Sequence, residues 1–443
     1  MAEYASYALI LFAVGAYVVL DGYDLGIGIL TLFDRDDNRR KEYTELIATA
    51  WDANESWIIL AGVTLWGTLP GVYATVLPGV YLPLIVMLLA FVLRGLGLEL
   101  QSAAPGYQRG WGRLFGVSSL VVAICQGLTA GTVLSGLPQH GGVFNGTALQ
   151  WLTPYGVLWA LAVPVLYLVA GAAWLQVKTE GRARIRAARL GRPLLAVAVA
   201  ACLVLGFGLE VADPHHFRFD QPIRAALFGV AVAVAAAGGA VAWYGFGRRT
   251  DERPFVAVVG AQVAGLLALV AATVPVVVPP ELSLHAAASP TGSQVFLLVG
   301  IGLCMPAVLA YNIYAWWVFR GKYRPPREEG LVVTSVPREH PMVHTDAEQQ
   351  ERLAATADLG AAAVGPVISV TAAPERVSIV IGRRIGYVVL CVGALAVAQD
   401  IFGGESESIA PIGYLRLVVG LDPGQDQSQV PGGKLPNRLP TSS

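Results

Sequence analysis

Apolar runs of membrane-crossing length, separated by short polar connections, recur through the first three quarters of the chain. A helix needs about 20 apolar residues to cross a hydrocarbon core of roughly 30 Å, because each backbone polar group there has to be satisfied within its own segment. Nine segments meet that test: 5–31, 47–68, 72–98, 114–136, 154–177, 193–211, 224–246, 254–278 and 294–319. The pattern predicts an all-α fold, a polytopic membrane helical bundle of nine transmembrane helices within residues 1–324. The first run lacks a basic start and carries acidic residues, so it reads as a span and not as a cleavable signal. Residues 325–375 turn polar, with Pro, Glu and Thr, and read as a cytoplasmic linker. A further apolar run at 376–402 is interrupted by Arg383 and Arg384, which leaves a candidate tenth span of about 17 residues. The tail 403–443, rich in Gly, Pro, Gln and Ser, has the composition of a disordered segment.

Lys and Arg fall in alternate connections. Arg35, Arg39, Arg40 and Lys41 follow the first span; Arg109 and Arg113 follow the third; Lys178, Arg182, Arg184, Arg186, Arg189 and Arg192 follow the fifth; Arg248, Arg249 and Arg253 follow the seventh. The intervening turns, near 70–78, 135–153, 210–221 and 279–293, are almost free of them. Basic residues are retained on the cytoplasmic side, so the N-terminus is expected outside and Arg320, Lys322 and Arg324 inside.

Composition sharpens this picture. Of 443 residues, 55% are hydrophobic and 14% charged, with a mean hydropathy of +0.58, which excludes an ordinary soluble domain. Thirty basic residues against thirty-one acidic ones leave no excess charge to argue for nucleic acid as a partner. Cys125, Cys202, Cys304 and Cys391 lie far apart in apolar stretches and suggest neither disulfides nor a zinc site.

An ionisable side chain inside a span is expensive unless paired or hydrated, and is therefore a functional candidate. Asp21 and Asp24 lie in the first span at i, i+3, on one helical face, flanked by Gly22, Gly26 and Gly28, where a neighbouring helix can approach. A rise of about 1.5 Å per residue puts Asp21 roughly 24 Å along from Ala5, in the cytoplasmic half. Asp52 and Glu55 repeat the i, i+3 spacing at the start of the second span, which begins where the first ends. Four carboxylates are thus expected at one depth, where they cannot all stay ionised and some exchange protons near neutral pH. Arg94, with Glu99, ends the third span on the same side and offers a guanidinium to hold one carboxylate charged.

Haem iron needs His, Met, Cys or Tyr ligands inside the bundle. His140, His215, His216, His285, His340 and His344 all fall in expected loops or the linker, and Met87 and Met305 read as packing residues. His215 and His216 near Glu210 and Asp213 lack a convincing third metal ligand. No cofactor and no metal is expected on this chain.

The strings DGYDLGIGILTLF (21–33), WDANESWIILAGVTLWGTLPGVYA (51–74), FVLRGLGLEL (91–100) and the segment 280–323 closely resemble subunit II of the cytochrome bd-type quinol oxidases, cyanide-insensitive members included. The resemblance covers about 5–324. It implies a haem-free partner of a subunit I that carries haem b and haem d, in a bacterial cytoplasmic membrane. The complex would oxidise quinol and reduce dioxygen to water with protons taken from the cytoplasm. By position, Asp21, Asp24, Asp52, Glu55 and Arg94 match the family's proton-pathway residues, with Gly22, Trp51, Asn54 and Trp57 as motif support. Ala53 and Ser56 depart from the usual second motif, and His285 stands where an aromatic is common. The extension beyond 324 is outside the usual subunit; contact with another subunit, replacement of a small accessory subunit, or neither remain open for it, with lipids and quinol as the other partners. The competing reading is a proton-coupled secondary transporter, for which a repeat and a midplane site would be expected.

Overall fold

The computed structural model describes residues 1–103, 108–212, 221–248, 252–318 and 321–323, all within one compact unit, Met1–Val332. The linker at 325–375, the candidate span at 376–402, the tail at 403–443 and the His215–His216 pair lie outside the described residues.

Helices dominate: α1 (Ala2–Phe33), α2 (Asp37–Ile47), α3 (Trp51–Thr68), α4 (Pro70–Gly79), α5 (Tyr81–Ala103), α6 (Gln108–Ser135), α7 (Pro154–Lys178), α8 (Gly181–Ala212), α9 (Pro222–Arg248), α10 (Arg253–Thr273), the single turn α11 (Leu284–Ala287) and α12 (Thr291–Val318). Their starts carry the expected chemistry. Thr153 caps α7, its Oγ1 accepting from Gly156 N at 2.9 Å with Pro154 in the first turn, and Asp36 caps α2 through Asn38 N.

Eight of the described helices are long and apolar enough to cross a membrane: α1, α5, α6, α7, α8, α9, α10 and α12. Nine were expected. The remaining candidate is α3, whose 18 residues include Asp52 and Glu55. It lies along α1, where Trp57 meets Phe12 edge-on at 5.7 Å.

Two expected spans are also drawn differently. The 72–98 run is two helices, α4 and α5, because Pro83 has no N–H to give the Gly79 carbonyl and its ring crowds that position. The run to 278 stops as a helix at Thr273, and Val276–Val278 forms β3, paired antiparallel with β4 (Leu282–Ser283). The amphipathic α2 and the first twelve residues of α8 are helical where connections were expected. In α2 the buried Tyr43, Thr44 and Ile47 recur at helical spacing among charged residues, which gives that short polar segment a face to pack.

Packing centres on α1. A Cβ added at Gly26 would stand 1.8 Å from the Tyr167 carbonyl oxygen of α7, and one at Gly171 would stand 2.7 Å from Gly26 C. A Cβ at Gly28 would meet Ser119 of α6 at 2.3 Å. The glycines thus let α1 lie backbone to backbone against two helices.

The two ends of the bundle differ. At one, Ser6 Oγ donates to Gln294 Oε1 (3.1 Å), and the hairpin of β1 (Gln139–His140) and β2 (Val143–Phe144) turns through Gly141 and Gly142, both at positive φ. Thr75 Oγ1 donates to Gly142 O at 3.0 Å, and Leu137 N to Pro279 O at 3.1 Å. At the other end Asp34 accepts from Arg39 Nε (2.9 Å), Arg39 Nη2 (2.7 Å) and Asp36 N (3.0 Å), with Arg186 Nε at 3.1 Å. Burial pushes the Asp34 carboxyl up, but these hydrogen bonds and the two guanidiniums outweigh it and hold the group below the usual carboxylate range. Arg109 pairs with Asp37 here, and Lys322 lies 3.9 Å from Glu180. The basic connections therefore meet at a single end.

Candidate functional site

The acidic residues of α1 share a helical face but part company in space. Asp21 turns to α5, where Arg94 Nη2 donates to its Oδ1 at 2.6 Å and Nη1 to its Oδ2 at 3.1 Å, a two-pronged grip. Both side chains are fully buried. Arg94 Nη1 also reaches Glu55 Oε2 of α3 at 3.4 Å, and Glu55 keeps 20% of its side chain exposed. One guanidinium thereby holds carboxylates from two other helices.

Asp24, also fully buried, turns to α3. Asn54 Nδ2 donates to its Oδ2 at 2.8 Å and also lies 3.1 Å from Tyr23 Oη and 3.3 Å from Leu20 O. Asp24 Oδ1 and Arg94 Nε, both buried, have no hydrogen-bond partner among the described residues. Tyr23 is held from behind by Trp174, stacked at 4.5 Å. Trp51 packs across Gly95, where an added Cβ would sit 2.9 Å from its ring, so a flat aromatic presses on the backbone beside Arg94.

Asp52 stands in the first turn of α3 and is exposed, and Glu99 is exposed on α5. The site thus joins Asp21, Asp24, Glu55, Arg94 and Asn54 inside the bundle and leaves Asp52 on its surface.

Three further polar groups adjoin the site. Tyr17 lies one turn before Asp21 on α1, and its hydroxyl meets Gln126 Nε2 of α6; Tyr167 Oη of α7 donates to Gln126 Oε1 at 2.7 Å. Gln126 carries a usable signal as a lone amide within an apolar run, and the tyrosines carry none.

The chemistry of such a site is proton and charge handling: a fixed ion pair, a second acid at the pair's edge and a third acid held by a neutral amide. A sequence model of the family described as cytochrome bd terminal oxidase subunit II matches residues 2–319. The chain belongs to that family. Among relatives of the cytochrome bd subunit II family, the cytochrome bd-I ubiquinol oxidase subunit 2 of Escherichia coli K12 is 27% identical over 225 residues, 47% of this chain and 59% of that protein. The cytochrome bd ubiquinol oxidase subunit 2 of Bacillus subtilis 168 is 25% identical over 191 residues, 42% of this chain and 56% of that one. The chain thus spans under two thirds of the length of the curated relatives it matches. The bd oxidase structure from Geobacillus thermodenitrificans shares the fold, with a TM-score of 0.59 at 13% identity, over 72% of this chain and 99% of that one.

Haem is the group the bd oxidase family implies, and the described histidines of this family member do not fit it. His140 and His285 are exposed at the hairpin end, where His285 Nδ1 lies 2.9 Å from Glu3 Oε2. Met87 and Cys125 are enclosed in one apolar cluster with Ala90, Phe91 and Val122. Among the described residues no group of three or more His, Cys, Asp or Glu could hold a metal ion.

Proposed function

We propose that this chain is the haem-free subunit II of a bd-type terminal quinol oxidase, paired with a haem-bearing subunit I in a bacterial cytoplasmic membrane, with its N-terminus outside. Its acidic residues carry protons from the cytoplasm toward the site where the partner reduces dioxygen with electrons from quinol. The observation that carries this reading is the buried Arg94 guanidinium, gripping Asp21 with two hydrogen bonds while holding Glu55 on the same nitrogen.

The roles follow from the partners. Asp21 is bound at both oxygens to a buried cation, so taking a proton would leave Arg94 uncompensated; it acts as fixed charge. Glu55 has one long contact to Arg94 and partial exposure, and can load and release a proton without dismantling the pair. Asp52, exposed one turn earlier on α3, collects protons at the boundary. Asp24 meets a neutral amide and accepts a proton inside the bundle without breaking an ion pair.

Oxygen uptake with quinol, in membranes carrying the complex, tests the relay. Glu55→Gln is expected to lower turnover about a hundredfold, the lower end of the range for a lost proton-transfer group, with KM for quinol unchanged. Full turnover in both Glu55→Gln and Asp52→Asn would remove the relay.

A further inference from the structure

Several basic residues of α8, α9 and α10 take no part in the pairing at the Asp34 end, and the helix ends gather four of them at one corner. The α8 backbone closes on α9 at Gly191, where an added Cβ would lie 2.2 Å from the Phe246 ring. Pro254 of α10 closes on α9 in the same way, 2.7 Å from a Cβ at Gly245. This brings Arg192 of α8, Arg248 at the end of α9 and Arg253 at the start of α10 to one corner, and Arg189 lies one turn from Arg192 on its face. Arg189, Arg248 and Arg253 are exposed and make no ion pair among the described residues; Glu252 is the described acid beside them.

Arg192 is built in more firmly. Its Nε donates to Trp243 O at 3.0 Å and its guanidinium lies over the Trp243 ring, 5.3 Å from the centroid. Trp243 and Tyr244 are themselves 40% and 63% exposed, amphipathic rings of the kind that sit at headgroup level. Arg248, Tyr244, Val241, Val234 and Val230 recur at helical spacing on one exposed side of α9, which becomes aliphatic away from the corner. From the corner inward the order is guanidinium, aromatic, aliphatic.

We propose that this corner is a binding site for an anionic phospholipid, its phosphate held by Arg189, Arg192, Arg248 and Arg253, its glycerol region against Tyr244 and its acyl chains along the valine strip of α9. Guanidiniums match phosphate oxygens in two-pronged geometry. An acidic protein segment would use the charges and leave the exposed aliphatic strip of α9 unexplained; a lipid uses both. The site rests on the membrane reading of the fold and is independent of the oxidase proposal.

The complex carrying this chain, purified in neutral detergent, is titrated with phosphatidylglycerol and with phosphatidylcholine, and bound lipid is counted by native mass spectrometry. Arg189→Gln combined with Arg248→Gln alters exposed side chains without an ion pair, so the helix contacts persist. Each basic residue near an anionic surface contributes about a fivefold factor, so phosphatidylglycerol affinity is expected to fall about twenty- to thirtyfold with phosphatidylcholine retention unchanged. Equal retention of both lipids by the unaltered complex, or unchanged phosphatidylglycerol affinity in the variant, would overturn the site. Displacement by inorganic phosphate at matching concentration would identify a site for soluble anions instead, and loss of the partner subunit from the variant without a lipid effect would identify a protein interface; either result also overturns it.

Discussion

A guanidinium enclosed by helices persists because carboxylates face it, and the two partners of Arg94 divide that work unequally. Asp21 supplies two hydrogen bonds and Glu55 one longer contact. Removing one member of a buried pair leaves the other charge uncompensated, at a cost of about 3–5 kcal/mol, whereas replacing both by apolar or neutral groups is far milder. Arg94→Met is therefore expected to lower the melting temperature of the purified complex sharply, and Asp21→Asn placed in the same chain to restore most of it. Equal melting of the single and double variants would show that the pair is not the unit. Lysine should not substitute, since an ammonium cannot grip both Asp21 oxygens in one plane. The acids were legible in the sequence because charge inside an apolar run stands out. Arg94 was legible as a guanidinium for one of them, but the pairing was not: the choice of Asn54 for Asp24 and of Arg94 for Asp21 depends on inter-helix register, and Tyr17 and Tyr167 look like ordinary aromatic packing until Gln126 joins them.

Helices bind one another here through glycine as much as through bulk. Gly26 is the sharpest case, because a methyl group there would overlap the Tyr167 carbonyl at 1.8 Å, and a backbone atom of a packed helix cannot step aside as a flexible side chain can. Gly229 of α9 is the contrast, with nothing within 4 Å of an added Cβ. Overpacking costs typically about 1–3 kcal/mol and more where backbone is struck, while alanine for glycine in an open helix gains roughly 0.5–1 kcal/mol. Gly26→Ala should thus reduce the yield and melting temperature of the complex, and Gly229→Ala should leave both unchanged or slightly raised; equal behaviour of the two would refute the close α1–α7 approach. Most helix positions could be read from the apolar runs. The α4–α5 break could not, since hydropathy passes smoothly over Pro83 while the backbone does not. The helical start of α8 was hidden for the opposite reason, its arginines reading as a connection although their spacing suits a helix emerging from the membrane.

At the scale of the whole molecule, the bundle is polar at its two ends in different ways, and the proton proposal depends on which end faces the cytoplasm. One end collects the basic connections around Asp34, Asp37 and Glu180. The other carries the two hairpins and the Ser6–Gln294 bond, with few Lys or Arg. The sorting of Lys and Arg places the first end inside. Glu55 and Asp52 begin α3, directly after α2, and so lie toward that basic end. Asn145, exposed beside the β1–β2 hairpin, and Lys41, exposed on α2, mark the two ends. With the native cysteines replaced by serine or alanine, Asn145→Cys should react with a membrane-impermeant maleimide in intact cells, and Lys41→Cys should react after lysis alone. The reverse pattern would put Asp52 and Glu55 on the outer side, and the acids would then draw protons from the wrong compartment, while the Arg94 site itself would keep every bond described. A chain with this geometry can serve cytoplasmic proton uptake in one orientation and not in the other, so the labelling experiment bears on function as directly as substitution of the acids does.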